Sequence, residues 1–335
     1  MKSILLIRYS ALGDVVLATS VLAPLREKYP GARIEWLTDA AYAGLLDGVV
    51  DRVIPFSRKD AASRAAAQLD VKGRFDLAID LQNKLWSFRV ARAAAPKRLR
   101  FVRRTPMQAL GSLLGREVIF DDESATELYA KAMQLPRSGA LQLRLAAAAT
   151  ARAEALLPGE SWVGVAPGAA WENKRWPATR LAEVARALRA DGHRIALVGG
   201  PMDGALLDAV RGGCPVDVDL TSEPLPVVAA ALGRVRLLIG NDSGLVHVTG
   251  AMGRPALALF GPTSMKRWGP KAPGAALSLG LACAPCSNHG GRRCPLGHHD
   301  CLQKLEVSTV LEKARKLLSG SPLTPTLSPA GERES

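Results

Sequence analysis

No stretch of the 335-residue chain approaches the ~18 consecutive apolar residues that a membrane-spanning helix needs. The first apolar run, Ile4–Ile7, has four residues, and an arginine and a Gly-Asp pair follow it, which is not a signal-peptide pattern. A cytoplasmic protein is therefore expected. Cysteine is scarce: there are five, four of them between Cys283 and Cys301, with Cys214 apart. In a reducing compartment such a cluster suggests a metal site or buried thiols before disulfides. Two glycine loops are also missing. Neither half carries G-x-G-x-x-G between a strand and a helix, which argues against a nicotinamide site, and no Walker-type loop ends in Lys-Ser/Thr. Acids are absent from Lys84 to Arg104, where eight basic residues stand.

What is present is an ordinary globular composition, 48 % apolar and 22 % charged, long enough for two cores. The net charge of +13 points to an anionic partner, with nucleic acid, an acidic membrane surface and a phosphorylated substrate all open. Along the first half, Ile4–Ile7 reads as a buried strand. Gly13-Asp14 opens a helix with Ala18, Val21, Leu22 and Leu25 on one face, which Pro24 should bend or shorten. Ile34–Leu37, Val49–Ile54 and Phe75–Leu81 read as further strands. The second half repeats the pattern, with strands at Trp162–Ala166, Arg194–Val198, Val216–Leu220, Arg236–Ile239 and Ala256–Phe260. Helices are expected at Ala178–Ala190, Gly204–Arg211, Pro226–Gly233, from Ser243, and at Val307–Leu318. This is an α/β chain with parallel sheets. The rhythm loosens in an alanine-rich stretch ending at Leu157-Pro158-Gly159, which divides the chain into 1–155 and 156–319. The remainder, 320–335, carries three prolines and no apolar period and reads as a disordered tail.

Ligands of open parallel sheets bind beyond the carboxyl ends of the strands. There the second half places "PGAAWENKRWP" (Pro167–Pro177), "GGP" (Gly199–Pro201), "GNDSG" (Gly240–Gly244) and "GPTS" (Gly261–Ser264). Asp242-Ser243-Gly244 would start a helix, whose free N–H groups and dipole favour a phosphate, with His247 one turn on. Lys174 and Arg175 could neutralise a second phosphate. The competing reading makes Asp242 and Ser243 mere caps and His247 a packed residue. A diphosphate held without either glycine loop suggests a nucleotide-sugar donor. The eight basic residues include Lys84, Arg100 and Arg103 and suit an anionic acceptor. Trp86, Phe88 and Phe101 are too sparse for a nucleic-acid stacking platform. The spacing C-x2-C-x7-C-x6-C, Cys283, Cys286, Cys294 and Cys301, permits a structural zinc, with His289, His298 and His299 among the thiols.

Four segments, "RYSALGDVVLATSVLAPLREKYP", "PGAAWENKRWP", "NDSGLVHVTGAMGRPALALFGPTS" and "CAPC" with "CPLGHHDC", together resemble the lipopolysaccharide heptosyltransferases, glycosyltransferase family 9. The likeness runs from about Ile4 to Leu318, with the motifs in family order. It implies the GT-B fold, two facing Rossmann-like domains with the active site in the cleft, the first taking the acceptor and the second the donor. It further implies transfer of heptose from ADP-heptose, with inversion, to a lipid A-Kdo acceptor in the lipopolysaccharide inner core, without an essential cofactor. By position, Asp14 matches the family's general base and Lys174 the lysine on the donor diphosphate. Asp242, Ser243, Gly244, Leu245 and His247 match the donor turn, and "NDSGLVH" looks more like the branch adding the second heptose. The resemblance fits a monomer at the inner face of the inner membrane. A transferase using another nucleotide sugar, or a nonenzymatic binder of nucleic acid or anionic surfaces, is the alternative.

Overall fold

The computed structural model describes residues 1–101 and 123–320, in which two parallel sheets stand side by side in the chain. The first contains β1 (Ser3–Ile7), β2 (Arg33–Asp39), β3 (Arg52–Phe56), β4 (Leu77–Asp80) and β5 (Lys97–Arg100), in the order β3-β2-β1-β4-β5. The second contains β6 (Trp162–Ala166), β7 (Arg194–Leu197), β8 (Val218–Asp219), β9 (Leu237–Asn241), β10 (Ala256–Leu259) and β11 (Ala275–Leu277), in the order β11-β10-β9-β6-β7-β8. Every strand pair is parallel. The opening strand of each half is central, and chain order reverses beside it, at β1/β4 and β6/β9. These are the places where parallel sheets leave a crevice.

Alternation along the strands explains the layers. Ile4 and Leu6 point into one core with Trp36, Val15 and Tyr129, while Leu5 and Ile7 point into another with Val71, Val90 and Ala94. In the second sheet Val163 and Val165 face helices Ala178–Ala190 and Val307–Leu318, and Trp162 and Ala166 face the opposite core. That last core also contains Val16 and Leu45, so the apolar interior runs from one half into the other. Helix Ala147–Leu156, in the alanine-rich stretch, contributes Ala153 to it.

The helix expected after β1 comes in two pieces, Leu12–Ala18 and Leu22–Lys28, with a 3-10 turn at Thr19–Val21 between them. Thr19 and Ser20 donate their hydroxyls back to the carbonyls of Val16 and Leu17, at 2.6 and 2.7 Å, which favours such a break. Pro24 then falls in the first turn of the second piece, where its missing N–H costs nothing. The strand expected at Val49–Ile54 begins later, at Arg52, because Val49 and Val50 follow a left-handed Gly48 and plug the core instead. Val216–Leu220 shortens to the two residues of β8. Both β5 and β11 are absent from the sequence reading. β5 is a basic edge strand with no apolar alternation to reveal it. No helix among the described residues is long and apolar enough to cross a membrane. The tail beyond Gly320 lies outside the described residues.

Candidate active site

The turn after β1 and the turn after β9 meet. Helix Leu12–Ala18 of the first half abuts helix Gly244–Ala251 of the second at their N-terminal ends. A Cβ on Gly13 would lie 2.9 Å from His247 Cδ2 and 3.3 Å from Gly244 Cα. The sequence suggests that Gly13 serves a tight turn. Its actual use is close packing, since it sits inside the helix and makes room for the opposite half.

Asp14 is the third residue of its helix rather than the cap, which is Ala11. Its carboxylate accepts the Ala11 N–H at 3.3 Å and the Tyr129 hydroxyl at 2.7 Å, and it forms an ion pair with Arg8. Arg8 is fully buried and also donates to the Leu81 carbonyl. Burial works against its charge, but Tyr129 and Asp14 more than offset this and leave the guanidinium above its ordinary value. The loop before Asp14 is held by Gln82, whose Oε1 accepts the N–H groups of Tyr9 and Ser10 at 3.0 and 3.1 Å. Nothing local in sequence announces Arg8 as a partner, and Tyr129 lies 115 positions away.

On the facing side Lys174 Nζ stands 2.6 Å from Asp242 Oδ2, and both side chains are nearly buried. Thr263 donates to the same oxygen at 2.6 Å, a contact the motif reading passed over although it lies in the "GPTS" turn. Asn241 ties the turns together, accepting the Trp176 N–H at 2.9 Å and donating to the Pro167 carbonyl at 2.7 Å. Ser243 is the N-cap of helix Gly244–Ala251, yet its side chain does not bond to the helix. Among the described residues its Oγ is buried with no hydrogen-bond partner. A buried unpaired hydroxyl is costly, and here it lies at a helix N-terminus beside a buried cation. Leu245 is half-buried on the same helix.

His247 is 4 % exposed, and burial pushes its pKa down to about 4, against the fields of Asp242 and Asp14. It is a neutral imidazole near neutrality and, as the packed reading had it, fills space under Gly13. Arg175 does not reach across the crevice: its guanidinium donates twice to the Ala169 carbonyl, at 3.1 and 3.0 Å, and closes its own loop. Trp171, on that loop, is 40 % exposed.

Lys84 lies beyond the carboxyl end of β4 and Arg100 is the last residue of β5, on the sheet edge that carries Asp14. Arg100 Nε is 3.7 Å from Asp80, and its guanidinium lies over the Phe88 ring, 5.1 Å from its centre. Arg103 falls outside the described residues.

The zinc expectation is not met. The four cysteines form no disulfide, and among the described residues no three His, Cys, Asp or Glu side chains are placed to hold a metal ion. Three of the potential ligands, Cys301, His298 and His299, are engaged otherwise. Cys301 is buried in the second core against Gly261, and burial followed by the neighbouring cysteines pushes its thiol up to about 11. His299 Nε2 bonds the Asn173 carbonyl at 2.7 Å, and His298 faces Asp300. The cysteine loop instead buttresses the Lys174 turn, since Asn173 exchanges backbone and side-chain bonds with Gly291.

A family model described as glycosyltransferase family 9 (heptosyltransferase) matches residues 64–297. The chain is 24 % identical over 327 residues to lipooligosaccharide heptosyltransferase 2 of Campylobacter jejuni, covering 93 % of this chain and 97 % of that protein. It is 25 % identical to lipopolysaccharide heptosyltransferase 1 of Pseudomonas aeruginosa, covering 84 % and 85 %. Among solved structures, the Escherichia coli ADP-heptose lps heptosyltransferase II superposes with a TM-score of 0.75 at 25 % identity, over 96 % of this chain and 99 % of that one. A glycosyl transferase family 9 protein from Veillonella parvula gives 0.77 at 24 % identity, over 96 % and 98 %. The architecture is the GT-B fold expected from the motifs.

Proposed function

The chain belongs to glycosyltransferase family 9, the heptosyltransferases, and on that premise we propose that its cleft transfers heptose from ADP-heptose to the inner core of lipopolysaccharide with inversion. One observation carries the reading. The carboxylate of Asp14 and the Lys174–Asp242–Ser243 turn lie on opposite sides of the Gly13–Gly244 contact, one from each half. The relatives' names supply the sugar and the acceptor class.

The half 1–155 takes the acceptor and the half 156–319 the donor. Asp14 accepts the proton of the acceptor hydroxyl as that oxygen attacks the anomeric carbon from the face opposite ADP. The bond from that carbon to the phosphate oxygen breaks, and its electron pair leaves with ADP. Lys174, the Ser243 hydroxyl and the N–H groups opening helix Gly244–Ala251 offset the charge that develops on the diphosphate. Neutral His247 withholds positive charge from the position between base and phosphate and keeps the two turns in register. Lys84, Arg100 and Arg103 meet the anionic acceptor. The sequence Asn241–His247 favours the branch that adds the second heptose.

The test is transfer by Asp14→Asn, with ADP binding measured on the same sample to show that the second half is folded. Transfer should fall by roughly 10²–10⁴-fold with ADP binding retained. Near-normal turnover would remove Asp14 as the base. Acceptors carrying no heptose or one heptose distinguish the branches.

A further inference from the structure

Helices Ala61–Val71 and Leu85–Ala94 cover the same side of the first sheet, where Ala67, Val71, Val90 and Ala94 enter one core. They pack against each other, and their other sides face solvent. A solvated helix places charges there. Helix Ala61–Val71 instead exposes Ala62, Ala65, Ala66 and Leu69, spaced as one stripe, with Leu69 70 % exposed. Its acid, Asp70, is already paired with Arg52 and Arg74. On the neighbouring helix the outward positions are Leu85, Phe88, Arg89 and Arg92, again one stripe, with Leu85 67 % and Phe88 38 % exposed. Lys97 and Arg98 on β5 add to the positive charge, and no acid occurs between Lys84 and Arg100.

We propose that this two-helix face docks onto an anionic lipid bilayer. Exposed apolar side chains bordered by arginines match a surface that is apolar below and negative at the headgroups. A second copy of the chain is a poor occupant, because two such faces would bring like charges together. Leu85 opens its helix just beyond β4, on the sheet edge that carries Asp14. Docking therefore sets the rim of the cleft against the bilayer. The inference goes beyond the transfer reading and stands without it.

The experiment is flotation of the full chain with vesicles of phosphatidylglycerol in phosphatidylcholine, against phosphatidylcholine alone. The wild-type chain should float with the anionic vesicles only. Each basic residue at such a surface is worth about fivefold in affinity, so Arg89→Glu with Arg92→Glu should weaken binding by ~25-fold or more. Leu69→Glu with Leu85→Glu should abolish the binding that persists when salt screens the charges. Unchanged melting temperatures confirm that these exposed substitutions leave the fold intact. Failure of the wild type to float, equal flotation with neutral vesicles, or unchanged flotation of both variant pairs would each overturn the docking. Turnover on a soluble acceptor without acyl chains separates the two claims. Turnover without flotation sinks the docking alone, and flotation without turnover on any donor sinks the transfer reading alone.

Discussion

Gly13 and Gly244 face each other so closely that a Cβ on Gly244 would lie 2.8 Å from the Gly13 nitrogen and 2.8 Å from the Leu12 side chain. Neither atom can retreat without moving a helix. Gly244→Ala should therefore wedge the halves apart, with the 1–3 kcal/mol usual for overpacking and a clear loss of transfer. Urea denaturation and steady-state rates check this. A stable, fully active Gly244→Ala protein would show that the contact opens at no cost.

Asp14→Asn tests a second relationship. Asn caps helices as well as Asp does, so sequence reasoning alone makes the change neutral for stability. The buried Arg8 alters that expectation. Removing its counter-charge leaves an uncompensated cation, and the change should destabilise by about 3–5 kcal/mol. Adding Arg8→Met to Asp14→Asn should recover most of the lost stability and none of the transfer. A double-mutant cycle in denaturant reads this directly, and independent effects would refute the coupling.

Tyr129→Phe removes one donor to Asp14 and little volume. A hydrogen bond to a carboxylate favours its charged form, so losing it moves protonation to higher pH. The acidic limb of the kcat profile should shift upward, with ADP affinity unchanged. A lower rate with an unmoved limb would reduce Tyr129 to packing.

Lys174→Met should weaken ADP binding by about 1.5–3 kcal/mol, as expected for a charge-assisted contact in a nearly buried site. It also strands Asp242, which keeps the Thr263 hydroxyl. Lys174→Met with Asp242→Asn should then be more stable than Lys174→Met yet no better at binding ADP. Calorimetry showing unchanged affinity in Lys174→Met would place the diphosphate elsewhere.

His247 gives stability a pH dependence. Its pKa of about 4 in the folded chain lies below the ordinary 6.5. Between these values the unfolded chain binds a proton that the folded chain refuses, so stability falls as pH drops from 6.5 to 4. The whole effect is on the order of 3 kcal/mol. Melting temperatures across that window should fall less steeply in His247→Gln. Parallel curves would mean that other groups dominate.

The second half was the more legible in sequence, for a physical reason. Helices Ala178–Ala190 and Val307–Leu318 have apolar periods unbroken by special residues, and both ends match the structure. β5 escaped because an edge strand needs no apolar face, and its charges mimic a surface loop. In the candidate site, the motifs pointed to Asp14, Lys174 and the 242–247 turn because each stands in a short, distinctive stretch of the chain. They did not find Arg8 and Tyr129 as partners of Asp14, because nothing in the local pattern distinguishes a buried arginine from an exposed one. The cysteines show the converse. Ligand-like spacing brings Cys283, Cys286 and Cys294 within electrostatic range of Cys301, yet among the described residues it places no three ligands to hold a metal ion.

The Trp171–Lys174 loop has a consequence for spectroscopy. Three of the six tryptophans, Trp36, Trp162 and Trp176, are fully buried and supply a steady emission background. Trp171 is 40 % exposed three residues before Lys174, so a nucleotide seated on that loop would change its solvent contact first. With the donor seated as proposed, Trp171 would serve as an optical reporter of its occupancy, and a Trp171→Phe variant supplies the blank.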